Sequence, residues 1–170
     1  KSNTGYSGAI FNAGDLNIAG KTNTFTGNTA SDTGTTKSGG GAIHNRGNSN
    51  TASLIIGTST STNTFANNTS GAYGGAIVSR AFDGPDQDSS VTINGNTSFR
   101  NNTSALDGGA IWNATSGDGG TSDITFNGNT TFANNSSDTY GGAIYNNDTI
   151  TFNGNATFSR AFIDVIKLYD

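Results

Sequence analysis

Gly141-Gly142-Ala143-Ile144-Tyr145-Asn146, followed shortly by Ile150-Thr151-Phe152-Asn153-Gly154, is the unit from which this 170-residue chain is built. Its Gly-Ala-Ile segment occurs five times, at intervals of 33 or 34 residues. Self-similarity at a fixed period of about 20–50 residues indicates a solenoid, in which each repeat buries its apolar face against the next one. The sequence therefore predicts a stack of coils.

The composition is compatible with such a stack. Hydrophobic residues make up 31% of the chain and charged residues only 12%. A disordered chain usually combines high charge with few β-branched residues, whereas threonine and isoleucine, which favour strands, are plentiful here. Collagen is excluded because it needs glycine at every third position.

Charge and cysteine content narrow the function classes. The net charge is −4 and the basic residues form no stripe, so we expect no nucleic-acid partner. The absence of cysteine excludes disulfides and thiol catalysis. No apolar run is long enough to span a bilayer. The chain begins at Lys1 without a signal peptide, and we expect it to be a processed or excised piece.

Each repeat contains three short segments with the apolar–polar alternation of strands. The first is Gly-Ala-Ile, the second resembles Ile150-Thr151-Phe152, and the third is built on Phe and Asn, as in Phe132 to Asn135. Spacings are constant at two corners of the repeat, while most insertions fall at the third, at Arg80–Ser90 and Ala114–Asp123. Three strands per coil with one variable corner predict an all-β fold, a parallel β-helix of about five coils. A sandwich is the competing fold, but it would not keep one motif at a constant period.

Equivalent residues of stacked coils form ladders, because neighbouring strands lie about 4.8 Å apart. We predict inward ladders at Ile10, Ile43, Ile77, Ile111 and Ile144 and at Phe25, Phe65, Phe99, Phe132 and Phe158. Asparagines should stack through their amides at a bend; they are Asn12, Asn45, Asn113 and Asn146.

The last residues break the repeat. We place the β-helical repeat region at residues 1–158 and a terminal cap or tail at 159–170. The end of a solenoid exposes strand edges that need cover, which favours a terminal strand or short cap. A segment of the next domain and a tail added for expression are the alternatives.

Two interleaved motifs carry a family resemblance. Gly-Gly-Ala-Ile and Phe-x-x-Asn alternate at the repeat period over nearly the whole chain, and this alternation resembles the passenger domains of chlamydial polymorphic outer membrane proteins and related autotransporter adhesins. The residues concerned are Gly40, Gly41, Ala42, Ile43, Phe65, Asn68, Gly74, Gly75, Ala76, Ile77, Phe99, Asn102, Gly108, Gly109, Ala110, Ile111, Phe132, Asn135, Gly141, Gly142, Ala143 and Ile144.

The resemblance implies a right-handed β-helix displayed on the surface of a Gram-negative bacterium and acting in adhesion to host cells. It makes these motif residues candidates for an adhesive role. It also implies a signal peptide and a C-terminal membrane barrel in the full-length protein, so that the outer membrane would be reached only through regions outside this sequence.

The residues that follow the motif isoleucines are candidates for ligand binding. They form a column of Phe11, His44, Val78, Trp112 and Tyr145, of which the aromatic members and His44 are the candidates. Alternation sends this column outward if the isoleucines point inward, and exposed aromatics can stack on sugars or anchor a partner protein. Alternatively, these side chains belong to the core or pack beneath the inserted loops.

Other site types are weaker candidates. Three carboxylates between Asp83 and Asp88 could hold calcium, but such a run is more often a solvated turn. Threonine pairs raise the idea of ice binding, but one of the two columns turns to asparagine in three coils. An acid–base enzyme needs a partnered group, and His44 is the only histidine and has no evident partner. We predict no enzyme, metal or cofactor.

The sequence thus predicts an adhesin segment that binds a host cell-surface protein or glycan through the outward face of a β-helix. A structural stalk or self-assembling fibre (a homo-oligomer without a ligand) is the alternative. A polysaccharide-active β-helical enzyme is a third one.

Overall fold

The computed structural model describes residues 2–3, 7–33, 39–82, 84, 86–116, 119–160 and 166–168 of the chain. These residues form 21 strands, numbered in chain order, in four parallel sheets. Sheet 1 holds the Gly-Ala-Ile strands: β2 (Ile10–Asn12), β6 (Ile43–Arg46), β10 (Ile77–Phe82), β14 (Ile111–Ser116), β18 (Ile144–Asn146) and β21 (Ile166–Leu168). Sheet 2 holds β3 (Asp15–Ile18), β7 (Ala52–Ile56), β11 (Ser89–Ile93), β15 (Ser122–Phe126) and β19 (Thr149–Phe152).

The other two sheets complete each coil. Sheet 3 holds β4 (Thr22–Thr26), β8 (Thr62–Ala66), β12 (Asn96–Arg100), β16 (Thr130–Ala133) and β20 (Ala156–Ser159). Sheet 4 holds two-residue strands: β1 (Ser2–Asn3), β5 (Thr29–Ala30), β9 (Thr69–Ser70), β13 (Thr103–Ser104) and β17 (Ser136–Ser137).

Every strand pairs with the equivalent strand of the neighbouring coil, in register. Ile77 pairs with Ile111, for example, and Phe99 pairs with Phe132. The predicted all-β parallel β-helix is confirmed, and the five strands of sheets 2 and 3 agree with about five coils. The fourth sheet was not predicted, because a two-residue strand of serine and threonine carries no apolar alternation.

The interior is filled by the two predicted ladders together with the inward side chains of sheet 2. The isoleucines of the three middle coils have no measurable exposure. Phe99 lies parallel to Phe65 and Phe132, with ring centroids 4.7 and 4.9 Å apart. Offset stacking of this kind contributes about 0.5–1.5 kcal/mol per pair beyond the burial of apolar area.

Buried asparagines line three corners and bond from rung to rung, and at one of these corners Asn23 donates to Asn63 at 2.9 Å. The Nδ2 of Asn113 donates to the Oδ1 of Asn146 at 2.7 Å, and Asn12 donates to Asn45 in the same way. In the third coil this position is Ser79, whose hydroxyl lies 2.8 and 2.9 Å from two other serine hydroxyls. The ladder is thus continued by hydroxyls where the amide is missing.

The closing Asn of the Phe-x-x-Asn motif forms the second amide ladder. Asn102 donates from Nδ2 to the Oδ1 of Asn135 at 2.9 Å and to the carbonyl of Phe65 at 3.0 Å. Its own Oδ1 accepts from the backbone N and the Nδ2 of Asn68. Every polar atom of this buried side chain is therefore satisfied.

Part of the predicted terminal cap lies within the described residues. β21 pairs with β18, with Ile166 opposite Ile144 and Leu168 opposite Asn146. Residues 161–165, 169 and 170 lie outside the described residues. The boundary at residue 159 stays a prediction.

We expect Asn102→Ala to lower the free energy of unfolding by about 2–4 kcal/mol, because it removes the buried side-chain hydrogen bonds of Asn102 to Phe65, Asn68 and Asn135 and leaves the backbone N–H of Asn68 without its acceptor. Urea denaturation measures the change. Asn127→Ala is the matched control: Asn127 also bonds to asparagines on both neighbouring rungs, but in an exposed position. Its loss should stay within about 0.5 kcal/mol, and equal losses in the two variants would contradict this account.

Candidate binding surfaces

The motif residues that carry the family resemblance lie inside the β-helix. All glycines, alanines and isoleucines of the four Gly-Gly-Ala-Ile segments are buried, as are Phe65, Phe99 and Phe132 with Asn68, Asn102 and Asn135. Their side chains face other coils of the same chain. The structure thus gives these residues a role in folding, while a part in adhesion stays a prediction.

The two motif glycines have different reasons to be glycine. Gly108, the first of its pair, has a φ of +70°, a left-handed conformation that side chains disfavour. Gly109, the second, lies against the next coil, where an added Cβ would be 2.1 Å from the carbonyl oxygen of Gly142 and 2.5 Å from the amide nitrogen of Ser136. The motif therefore marks a turn followed by a close contact between coils.

The candidate ligand-binding column lies on the outer face of sheet 1. Val78, Trp112 and Ala114 form a second apolar cluster there, separate from the main core, with Tyr73 and Tyr145 packed against it. We call this set the outer aromatic cluster. Alternation of the strands thus directs Val78, Trp112 and Tyr145 away from the isoleucines, while ligand binding by the column stays a prediction.

The members of the column differ widely in exposure. Phe11 is 46% exposed, whereas His44 is 1% and Trp112 is 9% exposed, and Tyr145 is half-buried. Trp112 lies between rings of two other coils, with Tyr145 parallel to it at 6.0 Å and Tyr73 tilted at 4.9 Å. Because its ring has neighbours along the helix axis on both sides, it offers no open platform for a sugar.

Two arginines border the outer aromatic cluster. Arg46 and Arg80 are register partners on β6 and β10, and their guanidinium carbons lie 4.4 and 4.5 Å from the centroid of the Phe82 ring. Burial lowers the pKa of Arg80, and the neighbouring charge of Arg46 lowers it further. These side chains place positive charge beside the aromatic rings.

Tyr73 adds a hydrogen-bonding group to this face. Burial raises the pKa of its hydroxyl, the carboxylate of Asp107 raises it further, and Arg80 acts in the opposite direction. The hydroxyl therefore stays protonated at neutral pH. The column of Tyr73, Asp107 and Tyr140 precedes three of the four Gly-Gly-Ala-Ile segments. It was missed in the sequence, although its constant position in the repeat could have shown it.

The outer face of sheet 3 is different in character. A hollow of about 310 Å³ lies on it, lined by Thr62, Asn63, Asn96, Thr97, Ser98, Asn129 and Thr131. All of these side chains are uncharged hydroxyls or amides. The sequence analysis noted the threonine columns but predicted no concave site there.

The acidic run and the single histidine form no described catalytic or metal centre. Asp83 lies outside the described residues, and the Oδ1 of Asp88 accepts from the backbone N of Thr121 at 2.7 Å. Among the described residues, no three His, Cys, Asp or Glu side chains come together as a metal site. That the chain is not an enzyme stays a prediction.

Fold and repeat define the class of this protein as a β-solenoid repeat domain. Within the described residues, no helix has the length and apolar character needed to cross a membrane. The chain belongs to the Chlamydia polymorphic membrane protein repeat family, whose model matches residues 24–46, 64–80, 90–114 and 123–147, together more than half of the chain. The resemblance seen in the sequence is thereby confirmed. No curated protein and no solved structure matches the chain.

We expect Gly109→Ala to lower the free energy of unfolding by roughly 1–3 kcal/mol, because the new methyl group meets backbone atoms that cannot move aside without separating two coils. Thermal or urea denaturation measures the loss. Gly14→Ala is the control, since a Cβ at Gly14 would meet no atom within 4 Å. Its stability should be unchanged or rise by up to about 1 kcal/mol, and a neutral Gly109→Ala would rule out the close contact as the reason for the motif.

Proposed function

We propose that this chain is a segment of a surface-displayed bacterial adhesin, an autotransporter passenger that binds a host cell-surface protein through the outer face of sheet 1. Membership of the polymorphic membrane protein repeat family and the β-helical fold support a passenger at the surface of a Gram-negative bacterium. The outer aromatic cluster carries the adhesive part of the proposal.

This face has the composition of a protein-binding surface. Tyrosine, tryptophan and arginine are enriched among the residues that dominate the energy of protein interfaces, and here Tyr73, Trp112, Tyr145, Arg46 and Arg80 lie on one side of the helix. This cluster is separate from the main core, which is packed by side chains of sheets 1, 2 and 3.

Two aromatic side chains offer direct contact with a partner. Phe11, on sheet 1, is 46% exposed, and Tyr140, in the segment that leads to β18, is 47% exposed. Single exposed apolar residues are ordinary. Beside a cluster of rings and arginines, however, they provide the anchors that an interface needs.

A fibre or stalk is the second candidate, because equivalent coils stack in register on the same ladders. Core residues of the outermost described coils are only half-buried, Leu16, Ile18 and Phe25 at one end and Ile150, Phe152 and Phe158 at the other. The side chains at the two ends occupy equivalent ladder positions. A further coil stacked on either end would continue the same ladders.

The adhesin proposal predicts that the fluorescently labelled chain binds host epithelial cells saturably. Phe11→Ala/Tyr140→Ala should weaken this binding about tenfold or more, because truncation of an aromatic anchor removes a large part of the interface energy. Flow cytometry measures binding, and circular dichroism checks that the variant keeps its fold.

Ile55→Ala is the matched control, because Ile55 is an apolar side chain on sheet 2 with 37% exposure. It should leave cell binding unchanged. If the folded wild-type chain binds no cell type, the adhesin proposal fails for this segment. If both variants lose binding equally, the sheet 1 face is not the site.

For the fibre candidate, we expect the chain to form end-to-end oligomers whose size grows with concentration. Sedimentation velocity measures this. Phe158→Asp, which puts a charge on one end of the phenylalanine ladder, should return the protein to monomers, whereas Ile55→Asp on a side face should not. A wild-type chain that stays monomeric at all concentrations would exclude self-assembly through its ends.

A further inference from the structure

The outer face of sheet 3 presents two ordered columns of short polar side chains. One column consists of Thr24, Thr64, Ser98, Thr131 and Thr157, and the other consists of Thr22, Thr62, Asn96, Asn129 and Asn155. Neighbouring rungs of a sheet lie about 4.8 Å apart, and alternate residues of a strand lie about 6.8 Å apart. The face is therefore a regular two-dimensional array of hydroxyls and amides.

Most polar groups around the hollow are not used by the protein itself. Within the described residues, the side chains of Thr62, Asn96, Ser98 and Thr131 make no hydrogen bond to another protein group. Asn129 uses only its Oδ1, which accepts from the backbone N of Asn155 at 3.0 Å.

An asparagine column at the neighbouring corner behaves differently. There Asn153 donates to Asn127 at 2.7 Å and Asn127 donates to Asn94 at 2.8 Å, although these residues are also exposed. Exposed amides on adjacent rungs can thus bond to each other in this protein. Within the described residues Asn96 and Asn129 make no such bond, so their amide groups are left for a ligand in the hollow.

Side chains held by hydrogen bonds within the protein form the edge of the hollow. The buried amide of Asn63 donates to the carbonyl of Asn94 at 2.7 Å and to the hydroxyl of Thr97 at 3.2 Å. Because these bonds hold the backbone corners in place, the exposed groups stand at defined distances before any ligand arrives. Preorganisation of this kind lowers the entropic cost of binding.

We propose that this hollow binds a neutral polysaccharide whose chain crosses the rungs of sheet 3. The lining residues carry no charge, so an ionic ligand would find no counter-charge there. They include no aromatic or large aliphatic side chain, which separates this face from a protein-binding surface. A sugar offers hydroxyls that both donate and accept, and C–H groups that suit threonine methyls.

The rung spacing also favours a polymer over a single sugar. One pyranose unit of an extended chain has about the length of one rung, so successive sugars would meet equivalent groups on successive coils. Each neutral hydrogen bond contributes only about 0.5–1.5 kcal/mol. Because the contacts would be repeated along one polysaccharide chain, such weak bonds would together give measurable affinity.

This site lies on a different face from the one proposed for adhesion, so each proposal can fail alone. The test is isothermal titration of the whole chain with neutral hexasaccharides of β-1,4-linked glucose, N-acetylglucosamine and mannose, with polygalacturonate and heparin as acidic comparators. We expect at least one neutral hexasaccharide to bind. Thr62→Val/Ser98→Ala/Thr131→Val should weaken its binding about tenfold or more, because three hydroxyls are lost at almost constant shape.

The control is Thr92→Val/Thr125→Val/Thr151→Val, which removes a hydroxyl column from the outer face of sheet 2. It should bind as the wild type does. The proposal is overturned if no neutral glycan binds, if only the acidic ones bind, or if the two triple variants behave alike. Should the sheet 3 variant not fold, NMR of the ¹⁵N-labelled wild type decides: the side-chain amides of Asn96 and Asn129 must shift on titration, and unchanged resonances overturn the proposal.

Discussion

The register between coils depends on the satisfaction of buried amides. Asn102 has no exposed surface and uses both ends of its side chain, one toward Asn68 and the other toward Asn135 and Phe65. A shift of one strand by one residue would separate each amide from its partners on the neighbouring rungs and would turn the inward apolar side chains of that strand to the solvent, at a cost of several kcal/mol. The ladders of isoleucine and phenylalanine fit any coil that keeps this register, and they supply the apolar burial. The asparagines thus select the register between coils, and the apolar ladders of the same repeat supply most of the stability.

The inward positions of the repeat keep the same residue types, because each coil packs against an equivalent coil. The outward positions vary from coil to coil. Gly109 and its equivalents Gly8, Gly41 and Gly75 each lie against the backbone of the next coil, so a side chain cannot be added there without a clash. The outer positions have no such constraint. On sheet 1 the position after the motif isoleucine is Phe11, His44, Val78, Trp112 or Tyr145. Two outer columns of sheet 3 consist instead of threonine, serine and asparagine, and a third contains the exposed Arg100. One scaffold therefore carries two faces of unlike chemistry, one aromatic and cationic and the other neutral and hydroxylated.

In the outer aromatic cluster, side chains that point away from the core are partly buried by side chains of neighbouring coils. Trp112 points away from the core and is still only 9% exposed, because Tyr73 and Tyr145 of other coils pack against it and Arg80 approaches its ring. Stacking along the helix axis stabilises the rings against one another. A partner on this face would meet the half-buried Tyr73 and Tyr145 and the exposed Phe11, with the arginines beside them.

The sequence by itself determined the period, the three main strands of each coil, the inward ladders and the family, because a residue that repeats every 33 or 34 positions meets its own equivalent in any stack of coils. It also placed the candidate column on the outer side of sheet 1, since strand alternation fixes the face. Only the tertiary structure decided which members of that column are exposed, because the cover of Trp112 comes from Tyr73, outside the column. The fourth sheet and the hollow of sheet 3 likewise form only when corners of successive coils are stacked on one another. The distances between these corners cannot be read from any local sequence pattern.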